Sequence, residues 1–405
     1  MPMPEPPLYL DHAATAPPLP EALAAFQRAA TEAFGNPSSL HGAGAAAARA
    51  LETARRDLLQ HLGAGGFRLV FTGTGTESNH LGIQGLARRV RGRVERAAGG
   101  KPPRILVGAA EHPSAAQAAI ALRDEGFVLA SIPVDAAGLI RAQALQPLLG
   151  PDVALVVVQW ANNELGGVNP IADLVGLVRN LAPHAAFHVD AVQGAGKLPT
   201  PISALGADSL AVAAHKIGGV RGCAALLLHP DAADPVPQMS GGGHEAGLRS
   251  GTENVAGAAA FAVASRVRSE RLRENPRRYV ERQDALLAAM RGVAPDLVLL
   301  GPGSPAERLG SIVSVAFPGA PAETLLHALE VRGVQVGSGS ACSSHGHSES
   351  SVLAATGLAP LLRSSVIRFS LDGSESATDF ARVAAALEEG LKLAKAAAAA
   401  SRVRL

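Results

Sequence analysis

Short apolar runs recur along the first two thirds of the chain, each closing on a polar or glycine-bearing turn. The runs at 67–71, 104–107, 127–133, 153–158, 185–189, 210–212 and 223–228 read as strands. Helical spacing falls between and around them, over 21–34, 42–62, 79–90 and 255–274. Strand, polar loop and amphipathic helix in repetition predict an α/β domain built on a mostly parallel sheet flanked by helices. Near 273–276 the chain changes character. Beyond it, helices at 279–291, 322–332 and 377–399 and strands at 311–317, 334–336 and 366–371 predict a smaller α+β domain. The expected division is a large domain of residues 16–272 and a small one of residues 273–405 that also takes in residues 1–15.

Bulk properties narrow the classes. At 405 residues with 47% hydrophobic and 18% charged positions, the chain can bury a large core. A net charge of +1 gives no reason to expect nucleic acid or an anionic membrane as the main partner. No run is long enough for a membrane span, and residues 1–8 lack the pattern of a signal peptide. Two cysteines, Cys223 and Cys342, make no disulfide framework, which points to a reducing cytoplasm. His345 and His347 have no companions at structural-zinc spacing, so no metal is expected.

The residues that end the strands carry the chemistry. In parallel sheets ligands bind at the carboxyl ends of the strands, and Thr76, His112, Asn163, Asp190, Gln193 and Lys216 all fall there. The turn 73–78, between a strand and a helix, makes an anion cradle of backbone N–H groups and helix dipole. Its glycine spacing fits neither the dinucleotide fingerprint nor the P-loop, which argues against a dehydrogenase. Lys216 stands between two strand-like runs without an acidic neighbour. Desolvated there, its amine becomes a nucleophile able to form a Schiff base with a carbonyl compound such as pyridoxal 5'-phosphate (PLP). PLP needs a lysine for its aldehyde, a carboxylate for its pyridine nitrogen, donors for its phosphate and a flat group over its ring. Lys216, Asp190, Thr76 with the adjacent backbone, and His112 suit these four tasks in turn. Asn163 and Gln193 can hydrogen-bond the ring oxygen. Singly, each has a plainer reading: a loop lysine, a helix cap, a loop histidine, two turn amides. Six in succession make a site.

The two cysteines differ. Cys223 lies in an apolar run, where cysteine behaves as a small hydrophobe. Cys342 lies in the glycine- and serine-rich loop 337–351 beside two histidines, a setting that favours a nucleophilic thiolate. Arg368, the only charge in its strand, suits a fork-shaped clamp for a substrate carboxylate.

These motifs occur together in one family. Leu10-Asp11-His12-Ala13-Ala14-Thr15, Gly35-Asn36-Pro37-Ser38-Ser39, Thr76-Glu77-Ser78, Glu111-His112-Pro113, Asn162-Asn163-Glu164, Asp190-Ala191-Val192-Gln193, His215-Lys216, Arg249-Ser250-Gly251-Thr252 and Ser338-Gly339-Ser340-Ala341-Cys342 follow in order. Over nearly its whole length the chain resembles the PLP-dependent cysteine desulfurases of the NifS/IscS type, in the class V aminotransferase group. The resemblance implies a PLP fold-type I enzyme, a homodimer with active sites at the subunit interface. It implies that Gly75, Thr76 and His215 hold the phosphate, with Thr252 reaching it from the other subunit, and that Asn36 and Arg368 bind the carboxylate of L-cysteine. Cys342 would take the sulfur as a persulfide, leaving alanine, and pass it to an acceptor protein, an iron–sulfur scaffold or a thiolation carrier. The chain departs from the family's usual residues at Ala213, where a serine donates to the phosphate, and at Val220, Arg221, His244 and Gly337. A selenocysteine lyase is the alternative within the class, but the setting of Cys342 favours the desulfurase. An inactive PLP-fold scaffold would have no use for Lys216, Asp190, His112 and Cys342 together.

Overall fold

The computed structural model describes residues 6–338 and 350–403. Its strands are β1 (Leu8–Leu10), β2 (Arg68–Thr72), β3 (Arg104–Gly108), β4 (Val128–Ile132), β5 (Val153–Gln159), β6 (Ala186–Asp190), β7 (Ser209–Ala213) and β8 (Ala224–Leu228). After them come β9 (Val298–Leu299), β10 (Ile312–Ala316), β11 (Val334–Ser338) and β12 (Val366–Ser370). They form two sheets. The seven-stranded one runs β2-β8-β7-β6-β5-β3-β4, and the five-stranded one β1-β11-β12-β10-β9. In the larger sheet β7, β6, β5, β3 and β4 are parallel, while β8 runs antiparallel to both its neighbours. The α/β expectation with a mostly parallel sheet is met.

Strand β5 explains why the sheet is buried on both faces. All seven of its residues are buried, as expected of a continuous Val-rich run in a parallel sheet. Because side chains alternate along a strand, Val156 and Val158 join Phe187, Val189, Leu174, Val178 and Phe261 on one face. Leu155 and Val157 join Ile83, Leu86, Val90, Ala115 and Ala118 on the other. The small sheet packs Val313, Val315, Ile367 and Phe369 against Leu286, Met290, Phe380, Val383 and Leu387 from its helices. β1 pairs parallel with β11, which brings the first described residues of the chain to the small sheet.

One difference from the sequence reading bears on the site. Spacing predicted a helix from residue 79, but the helix runs Gly75–Ala97. Thr74 is its N-cap: Thr74 Oγ1 accepts from Glu77 N at 3.1 Å, and Glu77 Oε2 accepts from Gly73 N at 2.7 Å. Threonine and glutamate three apart make a capping-box pattern, and the hydrophobic period, which begins later, does not register it. The strand β9 was also missed, being two residues long and too short to show a period. Among the described residues no helix is long and apolar enough to cross a membrane.

Candidate active site

At the carboxyl ends of the parallel strands lies a cavity of about 430 Å³ whose wall includes Gly75, Thr76, His112, Asn163, Asp190, Gln193, His215, Lys216 and Arg368. The anion cradle opens onto it as the first turn of the helix Gly75–Ala97, whose leading N–H groups lack acceptors within the helix. A side chain at position 75 would meet Val192 Cγ2 at 3.1 Å, so glycine keeps the cradle open. Ala213 lines the same wall.

Lys216 is half-buried, and its Nζ donates to the carbonyls of Ala13 and Ala14, both at 2.7 Å. Asp190, at the end of β6, accepts on both oxygens: Oδ2 from Asn79 Nδ2 at 2.9 Å, Oδ1 from Val192 N at 3.0 Å. His112 caps the helix Pro113–Ile120, its Nδ1 accepting from Ser114 N at 3.1 Å and lying 2.8 Å from Ser114 Oγ. Burial lowers the His112 pKa and Lys216 lowers it further, while Asp190 raises it. His215 Nδ1 lies 3.1 Å from Thr15 Oγ1. Burial, then Lys216, Lys197 and Arg221, bring its pKa down to about 4.

The amide of Gln193 is already oriented. Nε2 donates to Ala13 O at 2.9 Å, and Oε1 accepts from Lys197 Nζ at 2.7 Å. Arg368 is 2% exposed; its guanidinium binds Asp11 Oδ1 at 2.6 Å and Asn163 O at 3.0 Å. Its Nε has no acceptor among the described residues. A buried donor left over in a cavity wall is what a bound carboxylate would satisfy. Asn36 lies elsewhere: it is exposed, and its Oδ1 accepts from Ser38 N. Thr252 is exposed and also outside the cavity wall. Cys342 lies outside the described residues.

Four residues of this region carry no role in the sequence reading, although Asp11 and Glu164 stand within its motifs. Lys197 is buried against Gln193, with its pKa held well below the ordinary lysine value by burial and by Lys216, Arg268 and Arg368. Asn79 sits beneath Asp190, and Asp11 pairs with Arg368. Glu164 is held by the Ser314 hydroxyl at its carbonyl and by Ser350 Oγ, 2.5 Å from Oε2. None follows a periodic rule: Asn79, Asp11 and Glu164 are defined by partners remote in sequence, and Lys197, four residues from Gln193, by its burial.

Burial raises the Glu164 carboxyl to about 7, although Ser350 and Arg368 lower it. Because the folded value exceeds the ordinary 4.5, this group's contribution to stability is complete below pH 4.5 and is lost as pH rises through about 7. Glu164→Gln should therefore be more stable than wild type above pH 7, by on the order of 3 kcal/mol. The gap should close toward pH 4.5. Urea unfolding across that range measures it, and a gap independent of pH would refute the assignment.

Cys223 is buried, and its thiol is pushed up to about 12 by burial and by Glu245. In the native protein it should resist iodoacetamide at pH 8 and react once unfolded. Peptide mass mapping after brief labelling reads this directly.

The aminotransferase class-V family model matches residues 8–383. An IscS-like cysteine desulfurase of Mycobacterium tuberculosis is 37% identical, over 97% of this chain and 100% of that protein. A solved NifS-like protein superposes with a TM-score of 0.85 at 28% identity, covering 96% of this chain and all of the other. The solved structure of SspA in complex with cysteine has a TM-score of 0.74 at 27% identity, covering 91% and 100% of the two chains.

Proposed function

The chain belongs to the aminotransferase class-V family, and from that premise we propose that it is a PLP-dependent cysteine desulfurase of PLP fold-type I. It converts L-cysteine to L-alanine and transfers the sulfur to an enzyme cysteine as a persulfide. The observation that carries the reading is the convergence of Lys216, Asp190, His112 and a capped helix N-terminus on one cavity. The donor set fits PLP: an amine for the aldehyde, a carboxylate for the pyridine nitrogen, an imidazole for the ring face and backbone N–H groups for the phosphate.

When bound, PLP supplies an electron sink for the pair released as bonds of the substrate are remade. The chain's own groups have separate tasks. Lys216 would hold the cofactor through its amine, and the same amine, as a free base, would carry protons. Asp190 binds the pyridine nitrogen, His112 covers the ring, and Asn163 and Gln193 address the ring oxygen. Gly75, Thr76 and His215 would bind the phosphate. Arg368 receives the substrate carboxylate on the donor that Asp11 and Asn163 leave over. Cys342, as thiolate, attacks the substrate sulfur: an S–S bond forms, the C–S bond breaks, and the carbon takes a proton to become alanine. An acceptor protein, an iron–sulfur scaffold or a thiolation carrier, then removes the sulfur.

We place the work in a homodimer. Thr252 and Asn36 lie at the surface, with Phe34 and Leu40 exposed beside Asn36, and a second copy would cover them and bring Thr252 to the partner's phosphate site. We also divide the chain into residues 16–272 and residues 273–405 with 1–15, a reading supported by the separate cores of the two sheets.

The test is the visible absorption of the purified protein, followed by L-cysteine with alanine and sulfide assays. A yellow protein that forms both products is expected. A protein that cannot be reconstituted with PLP would overturn the reading.

A further inference from the structure

From Asn79 and Ser114 in the cavity wall beside Asp190, a buried chain of hydrogen bonds that the proposed chemistry does not use runs back to His188 and Ser209. Asn79 is 1% exposed and His188 0%. Asn79 Nδ2 donates to Asp190 Oδ2 and to Ser114 Oγ, both at 2.9 Å. Asn79 Oδ1 lies 3.0 Å from His188 Nε2, and His188 Nδ1 lies 2.7 Å from Ser209 Oγ. The helix Gly75–Ala97 approaches β6 closely enough for this because residue 82 is glycine; a Cβ there would meet the His188 ring at 2.5 Å.

Donor and acceptor inventory fixes the direction of the chain. Turned the other way, the Asn79 amide would set its oxygen against the Asp190 carboxylate. With the oxygen toward His188, His188 Nε2 must carry hydrogen, because an amide oxygen only accepts. The neutral ring then accepts at Nδ1, and Ser209 donates to it. Burial lowers the His188 pKa to about 3, which keeps the ring neutral.

We propose that Asn79 is a positioning residue that presents Asp190 to the pyridine nitrogen, its own orientation dictated by His188 and Ser209. The inference rests on the PLP reading above. A residue that only filled space would need neither a single-direction chain nor a glycine to admit it. Loss of the amide donor leaves Asp190 Oδ2 without its side-chain partner and free to turn from the cavity. Loss of the His188 donor removes what prevents the amide from flipping its oxygen onto Asp190, although His188 does not itself line the cavity.

The experiment compares binding of PLP with binding of its carbocyclic analogue, in which C–H replaces the pyridine nitrogen, to apoprotein. The analogue keeps the aldehyde and the phosphate but offers Asp190 nothing. Asn79→Leu should weaken PLP about tenfold, the loss of one charge-assisted contact, and leave the analogue unchanged. His188→Leu should reproduce that selective loss, and His188→Gln, which can still donate to Asn79, should restore discrimination. If Asn79→Leu does not fold, the His188 pair carries the test. Equal weakening of both compounds, or of neither, would overturn the positioning role. Wild-type apoprotein that binds neither compound would instead sink the cofactor reading, and this inference with it.

Discussion

Lys216→Ala is expected to abolish the visible absorption of covalently held PLP and to lower L-cysteine turnover by at least about 10³-fold. The covalent anchor and a proton carrier are lost together, and each contributes on the order of 10² or more. The alanine variant also takes a donor from the carbonyls of Ala13 and Ala14, so disturbance of the chain's N-terminal segment has to be separated from chemistry. Lys216→Arg does this. It keeps a donor in the same place but is permanently charged and no nucleophile, so it should lose the absorption band while preserving the fold by circular dichroism. A band unchanged in both variants would assign the lysine role elsewhere. Lys197 would then be the residue to replace, since it is buried against Gln193 of the cavity wall with a lowered pKa.

Cys342→Ala should have the opposite spectral outcome. PLP content and absorption should match wild type, while sulfide release falls to background, about 10³-fold or more for removal of a nucleophile. Cys223 offers no rescue, because its buried thiol, raised to about 12, is almost wholly protonated at neutral pH. In wild type, brief reaction with L-cysteine and digestion should place one added sulfur atom on the Cys342 peptide. Full activity in Cys342→Ala would end the persulfide role, and sulfur found on Cys223 would move it.

Much of this was legible in one dimension because it is local. The Val-rich run around 153–158 reads as a strand buried on both faces wherever it sits, and it becomes β5. Asp190, Lys216 and His112 were found by a positional rule, since residues that follow parallel strands gather at one edge of the sheet. The helix at Gly75 began earlier than its hydrophobic period because capping is decided by two polar side chains, Thr74 and Glu77. The signal was present in a pattern of a different kind.

What stayed hidden is set by partners distant in sequence. Asp11 meets Arg368 across 357 positions and Glu164 meets Ser350 across 186. Lys197 reads as a surface lysine until the fold removes water from it, and Asn79 reads as a helix residue until Gly82 lets His188 approach. The sequence alone determined which strands form the large sheet and which polar side chains follow them into the cavity wall, because spacing and period are properties of neighbours. Tertiary structure alone decided which nitrogen donates, which carboxyl is pushed toward neutrality and which residue orients another. Those depend on desolvation and on hydrogen-bond geometry, which exist only once remote segments have packed.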